Sequence, residues 1–301
     1  MTKFNYCNIE YIMKFLVYGA KGWIGTMCVE LLHKTGEEVI EAKSRADDEE
    51  AVEKELLEVK PDRVMSFIGR THGGSINTID YLEQPGKLIE NLTDNLYAPF
   101  VLAMLCTKHG IFYSYLGTGC IYSCKENEYG DGYMDDEKPD FFGSQYSVVK
   151  GITHRMLGMF KDNVLSLKIR MPCSDLPGPR NFITKITKYE KVCSIANSIT
   201  SLPTMLPIMI DMTKKKVSGI FNMVNPVPIT HNEILEMYRE IIDPSFSWKN
   251  FTLEEQSKVL QAGRSNNKLN TDKLLSMYPN IPNAKDDIRN LLYEMKKQMN
   301  K

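Results

Sequence analysis

Short apolar runs alternate with amphipathic stretches along the first 170 residues. Residues 15–18 read as a buried strand followed by a helical pattern to position 34; 38–42 predict a second strand, 49–59 a second helix and 63–68 a third strand. A long helical stretch over 86–109 leads into a strand at 111–116, and a helix over 144–160 and a strand at 164–169 close the series. Brief strands separated by helical periods predict parallel βαβ units and hence an α/β fold with a doubly wound parallel sheet. Beyond Met171-Pro172 prolines punctuate the pattern and the elements shorten, with helices near 231–242, 253–260 and 285–297. We therefore expect a domain over 13–170, completed by part of 206–224, and a smaller C-terminal substrate-binding lobe made of 171–205 and 225–301. There is no internal repeat and no low-complexity segment.

The turn after the first strand carries the first chemistry. In Lys14-Phe-Leu-Val-Tyr-Gly19-Ala-Lys-Gly22-Trp-Ile-Gly25 three spaced glycines join strand to helix, the arrangement of a Rossmann-type dinucleotide site. Gly19 permits the tight turn, Gly22 lets the backbone approach a pyrophosphate, and Gly25 lets the helix lie close on the sheet. Trp23 and Ile24 open that helix, whose N-terminal amides suit an anion. An acidic residue after the second strand would select NAD, whereas a basic one accommodates the 2′-phosphate of NADP. The stretch here is Ala42-Lys-Ser-Arg45, and Lys21 adds positive charge in the glycine loop, so NADPH is expected over NADH.

Composition narrows the partners. Of 301 residues 43% are hydrophobic and 25% charged, with a formal net charge of −1, which gives no electrostatic reason to expect nucleic acid or an acidic membrane. Residues 1–12 lack the apolar core of a leader, and no run is long enough to span a bilayer, so a cytoplasmic protein is expected. The seven cysteines, Cys7, Cys28, Cys106, Cys120, Cys124, Cys173 and Cys193, are scattered over predicted helices and strands and are expected to be free thiols. Cys120 and Cys124 lie close together, but no Cys-x-x-Cys or nearby histidine completes a zinc set, and no metal is expected.

The second constellation is Tyr146-Ser-Val-Val-Lys150 on a predicted helix, with Gly117-Thr118-Gly119 just past a strand end. Tyrosine and lysine four apart share a helix face, so the ammonium is expected to lie near the phenol, lower its pKa and reach a nicotinamide ribose. A second Tyr-x-x-x-Lys, Tyr293 to Lys297, reads as a solvated helix face. The first pair is preferred because it follows both the glycine loop and the Thr118 strand end, where ligands of open α/β sheets gather.

Thr118, Tyr146 and Lys150 in this order resemble the Ser/Thr-Tyr-Lys triad of the extended short-chain dehydrogenase/reductase superfamily. Gly117-Thr-Gly-Cys-Ile-Tyr122, Arg170-Met-Pro172, Pro179-Arg-Asn-Phe-Ile-Thr-Lys-Ile186, the run from Thr230 to Arg239, the run from Asp243 to Gln256 and Arg264-Ser-Asn-Asn267 resemble the bifunctional 3,5-epimerase/4-reductases of UDP-rhamnose synthesis. That family is related to dTDP-4-dehydrorhamnose reductase. The resemblance implies UDP-4-keto-6-deoxy-D-glucose as substrate, inverted at C3 and C5 and reduced at C4 to UDP-L-rhamnose. It implies Thr118 and Tyr146 as donors to the C4 oxygen, and Cys120 and Lys185 as the proton-transfer pair of epimerisation, with either able to be the base. Taken singly, Cys120 also reads as a packed cysteine and Lys185 as a surface charge. Gly69 is implied to line the cofactor, and Arg45 matches a basic position of the family. Asn95 is implied to support the active-site backbone, and Asn181 and Arg264 to bind the nucleotide sugar. With room for one Rossmann unit, the chain implies a separate 4,6-dehydratase as supplier of the keto sugar, and a homodimer is possible. The alternatives are a reductase of an already epimerised dTDP sugar and a non-catalytic nucleotide-binding subunit of the same fold.

Overall fold

Five residues, Lys14–Tyr18, form β1, and all but the first are buried, as expected of a strand covered on both faces. The computed structural model describes residues 11–123 and 130–299; Cys7, Cys124 and the first ten positions lie outside the described residues. After β1 come α1 (Trp23–Lys34), β2 (Glu38–Glu41), α2 (Glu49–Val59) and β3 (Arg63–Ser66). A short 3-10 turn at Ile79–Glu83 precedes α3 (Leu88–Leu92), a π turn at Thr93–Tyr97 and α4 (Ala98–Lys108). Next are β4 (Phe112–Thr118), α5 (Gln145–Leu157) and β5 (Val164–Ile169). The stretch expected as one helix over 86–109 is thus an α-helix interrupted by a wider turn, a feature that hydrophobic periodicity does not register.

The remaining elements are β6 (Pro172–Cys173), α6 (Phe182–Ile186), β7 (Lys191–Val192), β8 (Thr200–Ser201), α7 (Leu202–Lys214), β9 (Gly219–Asn222), α8 (His231–Ile241), β10 (Lys249–Asn250), α9 (Leu253–Ser257), α10 (Asp272–Met277) and α11 (Ala284–Met299). β6 pairs with β8 and β7 with β10, both parallel. The main sheet is parallel with order β2-β1-β3-β4-β5-β9. The chain leaves β1 in one direction, to β2, and returns past it to β3, so a switch point opens at the carboxyl ends of β1 and β3.

One face of the sheet is covered by α1 and α7, whose Cys28, Leu32, Met205 and Met209 are buried against Phe15, Leu167 and Phe221. The other is covered by α2 and α4 through Val52, Leu56, Val101 and Leu105. α7 begins at Leu202, with a proline in its first turn, and its buried residues from Leu202 onward belong to the first of these cores. Leu274 of α10 and Ile281 join the same core, so part of the region expected in the lobe returns to the sheet. A third core, with Ile183, Ile234, Leu235, Ile288 and Leu292, holds the lobe together between α6, α8 and α11.

Candidate active site

Ser144 starts α5: its hydroxyl accepts from the Ser147 amide at 3.1 Å and fixes where the helix begins. From that start Tyr146, Val149, Lys150, Thr153 and Leu157 fall on the buried face at helical spacing. Tyr146 is 7% and Lys150 5% exposed, whereas Tyr293 is 47% exposed and Lys297 is ion-paired with Glu294. The two identical spacings therefore meet opposite environments.

Facing α5 is the end of β4. Thr118 Oγ1 accepts from the backbone N–H of Cys120 at 3.0 Å, which turns the chain and exposes the Cys120 thiol to the cavity. Asn267 Nδ2 donates to the carbonyls of Gly119 (2.9 Å) and Tyr122 (3.1 Å), and Ser265 Oγ donates to Tyr122 O at 2.5 Å. The Arg264-Ser-Asn-Asn267 segment thus locks the turn that carries Cys120. Arg170, from the end of β5, places Nη1 3.1 Å from Cys120 Sγ.

Burial raises the Tyr146 phenol well above its ordinary pKa, and a negative charge on Cys120 pushes the same way; the Thr118 hydroxyl and the Arg170 guanidinium pull it down but do not win. Lys150 is lowered to about 7, chiefly by burial. Its Nζ donates to the Tyr115 hydroxyl and lies 4.6 Å from the centre of that ring. The expectation that Lys150 lowers the Tyr146 pKa is therefore corrected: its ammonium turns to Tyr115, and the Tyr146 phenol is held up chiefly by burial.

A cavity of about 840 Å³ opens beside Cys120 and Arg170; Thr118, Tyr146 and Lys150 are not among its lining residues. Cys120, Ser147, Arg170, His231 and Arg264 are among its lining residues. Burial and the Arg170 charge lower the His231 imidazole to about 4, and its ring packs edge-on against Phe182, with 5.2 Å between centres. Arg264 reaches the cavity but its Nη2 is paired with Asp80, and Nη1 donates to Ala262 O at 2.8 Å. Lys185 lines a neighbouring hollow of about 200 Å³ with Asn77 and Lys188, not the cavity that Cys120 faces. Its Nζ lies 3.4 Å from Asn77 O, and burial, Arg180 and Arg264 lower its pKa. Asn181, expected to bind substrate, is fully buried. Its Nδ2 donates to the carbonyls of Ser174 (2.7 Å) and Leu176 (2.9 Å) and its Oδ1 caps α6 by accepting from Ile183 N, so it fixes the start of α6.

The glycine loop fits a dinucleotide. Gly19 has φ +74°, and a Cβ on Gly25 would stand 2.1 Å from Gly19 O, so helix and loop are in contact that only glycine allows. Gly22 precedes α1 with no side-chain cap, and the first turn of α1 has no acidic residue, which leaves its amides to an anion. At the other side of the switch point Gly69 lies against Asn95 and Lys150: a Cβ there would be 3.2 Å from Asn95 Oδ1. Asn95 Oδ1 accepts from Arg70 N (3.0 Å) and Nδ2 donates to Arg70 O (2.9 Å), which clamps the turn after β3. Lys21 is exposed in the glycine loop, and Arg45 stands after β2 paired with Asp47.

Arg170 and Tyr115 had no individual role in the sequence reading. The available signal was charge: within and just after the apolar run of β5 stand Lys168 and Arg170, each 1% exposed, and a buried cation in a strand needs a reason.

The model of the NAD dependent epimerase/dehydratase family matches residues 15–192. The chain is 54% identical over 288 residues to uncharacterized protein L780 of Acanthamoeba polyphaga mimivirus, covering 95% of this chain and 100% of that protein. A crystal structure described as the L780 UDP-rhamnose synthase of that virus superposes with a TM-score of 0.92 at 52% identity, over 94% of this chain and 100% of that one. A bifunctional dTDP-4-dehydrorhamnose 3,5-epimerase/dTDP-4-dehydrorhamnose reductase of Arabidopsis thaliana is 40% identical over 288 residues, 94% of each chain. The fold is shared with dTDP-4-dehydrorhamnose reductase of Bacillus anthracis, solved in complex with NADP, at a TM-score of 0.77 and 12% identity, over 94% of this chain and 99% of that one. With a parallel sheet, a glycine loop at its switch point and a Thr-Tyr-Lys set at the end of β4, the chain belongs to the NAD dependent epimerase/dehydratase family.

Proposed function

We propose that this protein converts UDP-4-keto-6-deoxy-D-glucose to UDP-L-rhamnose, inverting C3 and C5 and then reducing C4 with NADPH. The observation that carries the proposal is the meeting of Thr118, Cys120 and Tyr146 at one strand end, beside a cavity of about 840 Å³. The viral relative's description supports the uridine nucleotide, and the plant relative's name, which is for a dTDP sugar, supports the pairing of epimerisation with reduction.

A ketone at C4 acidifies the hydrogens on C3 and C5, so one set of donors to its oxygen serves both stages. Thr118 and the protonated Tyr146 hold the negative charge on O4 when Cys120 takes a proton from the neighbouring carbon. Lys185 returns a proton to the opposite face; its lowered pKa eases that release. Held at the glycine loop, a reduced nicotinamide would supply the hydride for C4. Tyr146 then gives its proton to the alkoxide, while Lys150, lowered to about 7 by burial and donating to Tyr115, is proposed to reach the nicotinamide ribose. Gly19, Gly22, Gly25, Gly69, Lys21 and Arg45 are proposed to hold the cofactor, the two cations at its phosphates.

The test is to incubate the protein with UDP-4-keto-6-deoxy-D-glucose and NADPH in deuterated water. Rhamnose carrying deuterium at C3 and C5 is expected; unchanged sugar with unconsumed NADPH would overturn the proposal. A second reading, reduction of an already epimerised dTDP sugar, is favoured by the position of Lys185 outside the Cys120 cavity. It predicts no exchange at C3 or C5.

A further inference from the structure

Arg170 is 1% exposed, and its contacts are unusual for a buried cation. Besides Cys120 Sγ at 3.1 Å, Nη1 lies 3.2 Å from Ser265 Oγ; Nη2 donates to Asn197 Oδ1 and to Ser265 O at 2.9 Å. Nε is buried with no hydrogen-bond partner among the described residues. None of these acceptors is a carboxylate. A buried guanidinium met only by neutral oxygens is costly to keep, and among its hydrogen-bond partners in the described residues the one able to carry the opposite charge is the sulfur. The geometry is fixed from several sides: Asn197 also accepts from Asn267 N at 2.9 Å, and Thr200 Oγ1 accepts from Arg170 N at 3.0 Å.

We propose that Arg170 is the positioning residue of Cys120: its guanidinium holds negative charge on the sulfur and aims it into the cavity as the base of epimerisation. The step balances within the site. The C–H bond beside the ketone breaks, an S–H bond forms, and the electron pair moves to O4, where Thr118 and Tyr146 donate to it. The other titratable groups facing this pair are Tyr146 and Lys150 from α5, each sensing the Cys120 charge, and His231 from α8, sensing Arg170. A charged sulfur disfavours the phenolate, so the arrangement that equips Cys120 as base also keeps Tyr146 an O–H donor.

This inference rests on the reading of Cys120 as base, and the experiment separates the two. The rate of Cys120 alkylation by iodoacetamide at pH 7, followed by peptide mass mapping, is compared among wild type, Arg170→Lys, Arg170→Gln and Asn197→Asp. The same proteins are assayed for deuterium exchange at C3 and C5 of UDP-4-keto-6-deoxy-D-glucose. Arg170→Gln is expected to slow both by about tenfold or more, with Arg170→Lys restoring part of each. Asn197→Asp leaves the guanidinium in place but gives it a competing anion, so it slows both even if Arg170→Gln fails to fold. Wild-type alkylation rates in folded Arg170→Gln or in Asn197→Asp would overturn the proposal. Slowed alkylation with undiminished exchange would instead overturn Cys120 as the base and leave the arginine-to-sulfur contact standing.

Discussion

Arg45 has a side chain 73% exposed and paired with Asp47, at the end of the second strand where the adenosine ribose of a dinucleotide is read. If it meets the 2′-phosphate, Arg45→Asp replaces attraction by repulsion. The ratio of kcat/KM for NADPH to that for NADH should then fall by about tenfold or more, measured with both cofactors at fixed sugar. His154 shows the other side of residue-level electrostatics. Burial and the charge of Lys168 lower its imidazole to about 3, so it is neutral in the folded protein. Its ordinary value is 6.5, so between about 6.5 and 3 the unfolded chain binds the proton and the folded one does not. Its contribution is whole above that window and is lost as pH falls through it. Melting temperature should drop on acidification below pH 6.5, less steeply in His154→Gln.

At the scale of elements, α2 was legible to the residue, because Asp48 caps it, accepting from Ala51 N at 3.1 Å, and its apolar positions Val52 and Leu56 recur at helical spacing. The helix before β4 was legible only in outline. Its π turn places Asn95 where both polar ends of the amide meet the backbone of Arg70, and Thr153 of α5 donates to Asn95 O at 2.6 Å. That widening is stabilised by partners distant in sequence, so no local pattern announces it. Asn95→Ala removes the clamp and leaves backbone groups unpaired; it should cost about 1–3 kcal/mol in urea unfolding and weaken NADPH binding. At α1 the constraint is steric: Gly25→Ala drives a methyl into Gly19 O, 2.1 Å away. A fluorescence titration should show NADPH affinity lower by about tenfold or more, because the helix must leave the loop it positions.

Across the whole molecule, the Arg264 to Asp80 pair joins the lobe to the 3-10 turn at Ile79–Glu83, both residues lining the cavity, and Ala262 N donates to the same carboxylate at 2.9 Å. A diphosphate offers Arg264 a better bidentate partner than one aspartate. Arg264→Gln should therefore raise KM for the nucleotide sugar by about tenfold with a smaller effect on kcat, since the guanidinium is proposed to bind the diphosphate and takes no part in proton transfer. Lobe and sheet are also linked through the first core, where Leu274 of α10 is buried and α10 lies against β9.

Over the first 170 residues the order of strands and helices, save the break before β4, was readable from the chain itself, as were the glycine loop and the buried face that carries Tyr146 and Lys150. Periodicity and backbone stereochemistry act over a few residues, and so leave local marks. What the tertiary structure alone decided was the environment of each charge. Arg170 meets Cys120 across 50 positions and Ser265 across 95, Lys150 turns to Tyr115 across 35, and Asn181 becomes the cap of α6. Desolvation and electrostatic partnership depend on what the fold brings around a group, and a spacing in sequence holds no record of that.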